Sequence, residues 1–194
     1  MQIAFIKEIF MIIESNVAEK EIVIQVAKQM AIAARTAPKT RGIDSIVIKI
    51  MTGDAVQQLA AQMAELGNDM DEQFRARNIR DAQSVKNSHA VVLIGTRSKP
   101  RGVTSCGFCG FADCRESQQK GGHCAFDDID LGIALGSAVS IAADNRVDNR
   151  IMFSIGKTAK ILGLLGNGVT KILGIPLSAT GKNKYFDLGA FHKS

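Results

Sequence analysis

The chain has no tryptophan, one tyrosine and three prolines, and aromatic residues make up 5% of its 194 positions. Its core therefore has to be built from Ile, Leu, Val, Ala and Met. No apolar run reaches the roughly 18 residues that a membrane span needs. The opening "MQIAFIKEIF" carries Lys7 and Glu8 inside its apolar stretch and has no small-residue cleavage site, so it does not read as a signal peptide. Met11 is an alternative start, because the well-patterned chain begins after it. Like-charged residues do not run in blocks. The formal charge is +5, but the basic residues are scattered and do not alternate with aromatics, which argues against a nucleic-acid binder. Cysteine is also scarce, and all four cysteines, Cys106, Cys109, Cys114 and Cys124, fall within nineteen residues. With 46% apolar and 22% charged residues, a chain of this length can bury a full core without covalent staples.

The remaining pattern alternates helices and strands. Asn16 with Glu19 reads as a capping box, and Ile22, Val26, Met30 and Ala33 recur at helical spacing until Pro38. "IDSIVIKIM" is a β-branched strand ended by Gly53, and Asp54 is positioned to cap a helix that closes at Gly67. Residues 69–85 read as a polar helix and "HAVVLIGTR" as a buried strand. Then comes "DDIDLGIALGSAVSIAADN", a helix apolar on nearly all faces, capped by Asp127 or Asp128. A further helix over about 150–165 and a strand "TKILGIP", ended by Pro176, complete the order before a polar, basic tail. The expected class is α+β, α/β-like in its alternation: a central sheet flanked by helices. Residues 1–16 are an expected N-terminal extension, and 17–194 an expected single domain.

Residues 98–126 interrupt this pattern. They show no helix or strand period, and they hold Pro100, five glycines and every cysteine. A loop of this length inside a compact domain is expected to be functional or held by a ligand. Its spacing is C-x2-C-x4-C-x9-C. Two disulfides, a structural zinc, four unrelated thiols and an iron–sulfur cluster are the alternatives. Zinc ribbons and knuckles usually pair two C-x2-C units, whereas three close thiolates and one remote one suit the corners of a 4Fe-4S cubane. Gly107 and Gly110 each follow a cysteine, where the missing Cβ lets a backbone N–H approach a sulfide. Phe108 and Phe111 are expected to shield the cluster, and Arg101, Arg115, Lys120 and His123 to offset its negative charge.

"CGFCGFADC" resembles the C-G-x-C-G-x-x-x-C signature of a 4Fe-4S module found in electron-transport subunits of anaerobes and in corrinoid iron–sulfur proteins. That resemblance implies Cys106, Cys109, Cys114 and Cys124 as ligands; the fourth lies nearer than in most such modules. The chain also resembles a prokaryotic family of uncharacterised proteins containing a ferredoxin domain. The matching stretches are "AARTAPKTRGID", "CGFCGFADC", "FDDIDLGIALGSAVSIAADNRVDNRIMFSIGKTAKILGLL" and "GIPLSATGKNKYFD", across most of residues 17–187.

The order of elements is similar to the flavin-dependent nitroreductase fold, with "APKTRGID" as its proline turn, "DIDLGIALGSAVSIAA" as its central helix and "ILGIP" as its late strand. This likeness implies FMN as a candidate second cofactor. The chain departs from that family's flavin site. It lacks the Arg-Arg-Ser opening, has Lys39 where Ser is usual and has Gly42 near the usual Asn. Arg35, Lys39 and Lys182 are the cations that could meet a phosphate, with solvated surface residues as the alternative.

"GLLGNGVTK" follows a helix and precedes a strand, the wrong order for a dinucleotide fingerprint, and "SATGKN" lacks the glycine spacing of a P-loop. Gly132-x-x-x-Gly136 marks close packing, as at a homodimer interface. His89, His123 and His192 have no partners in any nucleophile pattern, so no catalytic residue is assigned. The expectation is a cytoplasmic 4Fe-4S protein of redox or electron-transfer function, acting on a partner protein or small molecule not identified by sequence. The other reading is a non-enzymatic binding or regulatory module whose four cysteines hold a structural zinc.

Overall fold

Residues 12–68 and 71–186 are described by a computed structural model. The start-codon question, the first eleven residues of the expected extension and the end of the basic tail lie outside them. Four strands form one antiparallel sheet in the order β1-β2-β4-β3: β1 Ile46–Thr52, β2 Ala90–Arg97, β3 Asp148–Asn149 and β4 Val169–Ser178. The described residues also form six α-helices, α1 Ser15–Thr36, α2 Asp54–Gly67, α3 Glu72–Lys86, α4 Cys114–Gln119, α5 Ala125–Asp144 and α6 Phe153–Ile161, of which all but α4 pack about the sheet. The expected α+β class with a helix-flanked central sheet is borne out.

The strand period of two decides which helix packs where. Val92 and Ile94 of β2 face α1 and α5, packing with Val26, Met30, Ala134 and Ala138. Val91 and Leu93 face the opposite way, toward α2, α3 and α6, with Leu59, Met63, Val85 and Ile155. Covered on both sides, "AVVLIG" is buried throughout, as its unbroken apolar run requires. Helix α6 lies directly on β4. A Cβ at Gly156 would stand 1.8 Å from the Ile172 carbonyl oxygen, so only glycine permits that approach.

Several local expectations are corrected. Helix α1 begins at Ser15 with Glu14 as N-cap, and Ser15 Oγ donates to Glu19 Oε1, so the pairing with Glu19 starts one residue before Asn16. Its buried stripe is Val23, Val26, Ala27, Met30 and Ala34; Ile22 is exposed. Gly53, at φ 55°, occupies the N-cap of α2, and Asp54 is already its first residue. Helix α3 begins at Glu72, where Asp71 caps it by accepting from Phe74 N at 2.9 Å, and residues 69 and 70 of the expected span lie outside the described residues.

Helix α6 is shorter than 150–165. Strand β4 runs through Pro176 to Ser178. Gly174 exchanges hydrogen bonds with Met152, on the side away from β2, while Leu177 O accepts from His89 N on the β2 side. By alternation, Pro176 also faces away from β2. The N–H it lacks would have pointed into the gap between the Met152 bridge and the two-residue β3.

Helix α5 is less enclosed than its composition implies. Ile129, Gly132, Ile133 and Gly136 lie exposed, and a Cβ built at either glycine meets nothing within 4 Å. The glycine pair thus makes no close packing within the described chain. No helix among the described residues is long and apolar enough to cross a membrane.

Candidate cysteine site

The chain leaves β2 at Arg97 and enters α5 at Ala125, and the cysteines occupy the excursion between them. This stretch is not structureless. The six-residue helix α4 begins at Cys114, and its ends are built from local side chains. Asp113 Oδ1 accepts from Glu116 N at 2.8 Å, and Glu116 Oε2 accepts from Ala112 N at 2.7 Å, close to a reciprocal capping box. At the far end Gly122 N donates to Ser117 O at 2.7 Å. A Cβ on Gly122 would stand 2.4 Å from the Phe111 ring, so this glycine lets Phe111 close over the returning chain. The sequence reading missed α4, because six residues are too few to display a period.

Cys106, Cys109 and Cys114 line one cavity of about 310 Å³, together with Phe111 and Arg115. Cys124 is not part of that lining; it is the N-cap residue of α5. All four are free thiols and half-buried. Gly107 and Gly110, the residues after the first two cysteines, have φ of 59° and 81°. Side chains disfavour that left-handed backbone, so both glycines are needed on conformational grounds. Among the described residues, no three Cys, His, Asp or Glu side chains are grouped as ligands of a single metal ion.

The expected shielding and charge balance are only partly realised. Phe111 lines the cavity, but Phe108 is 68% exposed and stacks on Phe126, with ring centroids 5.5 Å apart. Arg115 lines the cavity, while Lys120 pairs with Glu116 at 2.7 Å and His123 is exposed.

Arg101 does something different: it is 1% exposed and serves as the hub of a buried network. Its Nε donates to Asp130 Oδ2 at 3.1 Å, its Nη2 to Ser45 Oγ at 2.6 Å and its Nη1 to Lys99 O at 3.2 Å. Nη2 also lies 3.0 Å from Asp127 Oδ1, off the N–H direction, so that contact is ionic and not a hydrogen bond.

Asp127 is therefore not the cap expected of α5, whose N-cap is Cys124 with no side-chain cap bond. Asp130 Oδ1 accepts from Thr40 N at 2.9 Å and from Thr40 Oγ1 at 2.8 Å, and Asp127 Oδ2 accepts from Ser98 Oγ and Lys99 N, each at 3.2 Å. Burial pushes the Asp127 carboxyl up from its ordinary value, opposed by the Arg101 charge and the bonds from Ser98 and Lys99. Asp128, the third acid, is exposed and pairs with Lys171.

The cations considered for a phosphate are largely committed elsewhere. Arg35 pairs with Asp44 and donates to Ile46 O at 2.7 Å. Lys39 Nζ donates to the carbonyls of Ala34 and Arg35 at the end of α1, and burial lowers its pKa. The Lys182 carbonyl accepts from Thr180 Oγ1 at 2.7 Å. The proline turn that carries Lys39 serves instead to present Thr40 to Asp130.

Comparison with known proteins gives a family and a fold. Residues 120–188 match the family model described as "uncharacterized protein containing a ferredoxin domain". An uncharacterized protein of Archaeoglobus fulgidus is 44% identical over 166 residues, covering 81% of this chain and 87% of that one. Among solved structures, a nitroreductase with bound FMN from Desulfitobacterium hafniense superposes with a TM-score of 0.57 at 12% identity, over 81% of this chain and 78% of that one. Nitroreductase CinD from Lactococcus lactis, in complex with chloramphenicol, gives 0.57 at 15% identity, over 86% and 82%. The nitroreductase family protein of Clostridium novyi gives 0.54 at 13% identity, over 87% and 76%. At these identities the likeness concerns the fold alone: the architecture is nitroreductase-like.

Proposed function

This chain belongs to the family of uncharacterized proteins containing a ferredoxin domain, and from that premise we propose that it is a redox protein whose cysteine loop holds a 4Fe-4S cluster. The observation that carries the reading is the placing of Cys106, Cys109 and Cys114 around one cavity, with left-handed glycines behind two of them. Cys124 supplies the fourth thiolate from the start of α5. A tetrahedral zinc would need its thiolates about 2.3 Å from a single point. A single C-x2-C unit followed by the x4 and x9 steps gives more support to a larger group with separate corners than to the paired units of a zinc ribbon.

Such a cluster supplies one-electron transfer at a potential set by burial and by hydrogen bonds to its sulfurs. The chain's own residues set those conditions. Phe111 covers one side of the cavity and lowers its exposure to water. Gly107 and Gly110 leave their backbone free of a Cβ next to the ligands. Arg115 provides positive charge beside a thiolate-rich site.

FMN as a second cofactor draws support from fold likeness to the FMN-bound Desulfitobacterium protein. The fit is poor at the residues first considered, since Arg35 and Lys39 are engaged in holding the end of α1.

Reductive titration of anaerobically purified protein tests the proposal. A cluster gives a brown protein whose visible absorbance bleaches with about one electron per chain. A colour that a one-electron reductant leaves unchanged contradicts it. Heating the same preparation and finding yellow, fluorescent FMN in the supernatant would establish a flavoprotein; a colourless supernatant would count against one.

A further inference from the structure

We infer that Arg101 is a positioning residue for the cysteine loop, clasping its base so that the loop is ordered before any metal enters. The inference rests on the cluster reading of the loop. In many small metal-binding modules the ligand loops fold only when the ion arrives. Here two sets of contacts need no metal. One is the α4 turn, with Asp113 and Glu116 at its start and Gly122 bonded to Ser117 at its end. The other is the clasp.

The clasp joins three parts of the chain that are distant in sequence. Arg101 lies five residues before Cys106, and Asp127 lies three residues after Cys124. Their ionic contact at 3.0 Å and the Arg101–Asp130 bond at 3.1 Å hold the two ends of the cysteine segment side by side. Ser45 and Thr40 then fix this pair to the turn between α1 and β1. Arg41 reaches back from the same turn, donating to the carbonyls of Arg101 at 3.0 Å and Gly102 at 2.8 Å.

A guanidinium is required because it must address Asp130, Ser45 and Lys99 in different directions with one rigid fork. Lysine could neutralise charge but not reach all three. Burying an arginine with two carboxylates gives little net stability over an apolar trio, so stability alone does not account for the network. Fixing the separation of loop ends that carry Cys106 and Cys124 does.

Two measurements on the full chain test this. In the first, protein stripped of iron under anaerobic conditions is followed by amide hydrogen exchange. The amides of Ser117, Lys120 and Gly122, each bonded within the loop, are expected to stay protected. Exchange at the rate of an unfolded peptide, with the sheet still protected, would overturn the inference. In the second, Arg101→Lys and the neutralised trio R101M/D127N/D130N are reconstituted beside the wild type. The trio avoids leaving unpaired buried carboxylates, so it separates loss of the clasp from loss of the fold.

Iron release to a chelator is expected to be about 10-fold faster in both variants, in the range seen when groups that orient metal ligands are removed. In the iron-free variants, Cys106, Cys109 and Cys114 should react faster with a thiol reagent than in the wild type. Wild-type release and labelling rates in folded variants would contradict the role of Arg101. A wild type that takes up no cluster would instead overturn the cluster reading, and the exchange and labelling results would still decide the clasp.

Discussion

At the scale of single residues, the four cysteines are not equivalent. Cys106, Cys109 and Cys114 share a cavity, while Cys124 stands at a helix start outside its lining. Replacing any of the first three with serine should remove most of the visible absorbance and lower the iron content of reconstituted protein. Cys124→Ser tests the remote ligand: iron below the wild-type level assigns it, and unchanged iron removes it from the set.

Tyr185 gives a separate residue-scale prediction. It is fully buried and shares a hydrogen bond of 2.9 Å with Ser88. Burial raises its pKa from 10.0 to about 12. A raised folded-state pKa contributes stability that is complete below pH 10 and lost as pH rises through about 12. Denaturant melts should therefore show a loss of order 3 kcal/mol across this window. In Tyr185→Phe that alkaline component should vanish; an equal loss in both proteins would count against it.

At the scale of elements, the sheet and its two helical layers were legible because burial imposes a simple period. The unbroken apolar run of β2 and the stripe of α1 follow from which faces are covered. What local pattern missed depends on partners remote in sequence. Asp127 looks like a cap for α5, but it and Asp130 answer to Arg101, more than 25 residues earlier. Pro176 looks like a terminator, yet β4 continues because β3 ends before a neighbour would need that N–H. The cysteine spacing was readable; the α4 turn and the clasp beneath it were not.

The α6–β4 contact offers a direct element-scale test. With the Ile172 carbonyl 1.8 Å from a Cβ at position 156, Gly156→Ala must push α6 off the sheet. A destabilisation of about 1–3 kcal/mol is expected from such overpacking. The midpoint of urea denaturation reads it, and an unchanged midpoint would contradict the packing described.

At the scale of the whole molecule, the fold is nitroreductase-like and the cysteine excursion lies between β2 and α5. On the neighbouring face, α5, α6 and β4 surround an open cavity of about 770 Å³ floored by Leu131, Leu135 and Ile172. Phe153 and Ile161 line it and are exposed. An exposed apolar surface of this kind is one that a covering partner would bury. The homodimer expected from Gly132 and Gly136 would be such a partner. Sedimentation should then give twice the 20.8 kDa chain mass, and a monomer at high concentration would refute self-association.

The central claim, that the loop holds a 4Fe-4S cluster, is tested most directly by metal and sulfide analysis of the full-length chain purified without oxygen. About four irons and four sulfides per chain, with broad visible absorbance, are predicted. One zinc per chain in a colourless protein, with no acid-labile sulfide, would contradict it.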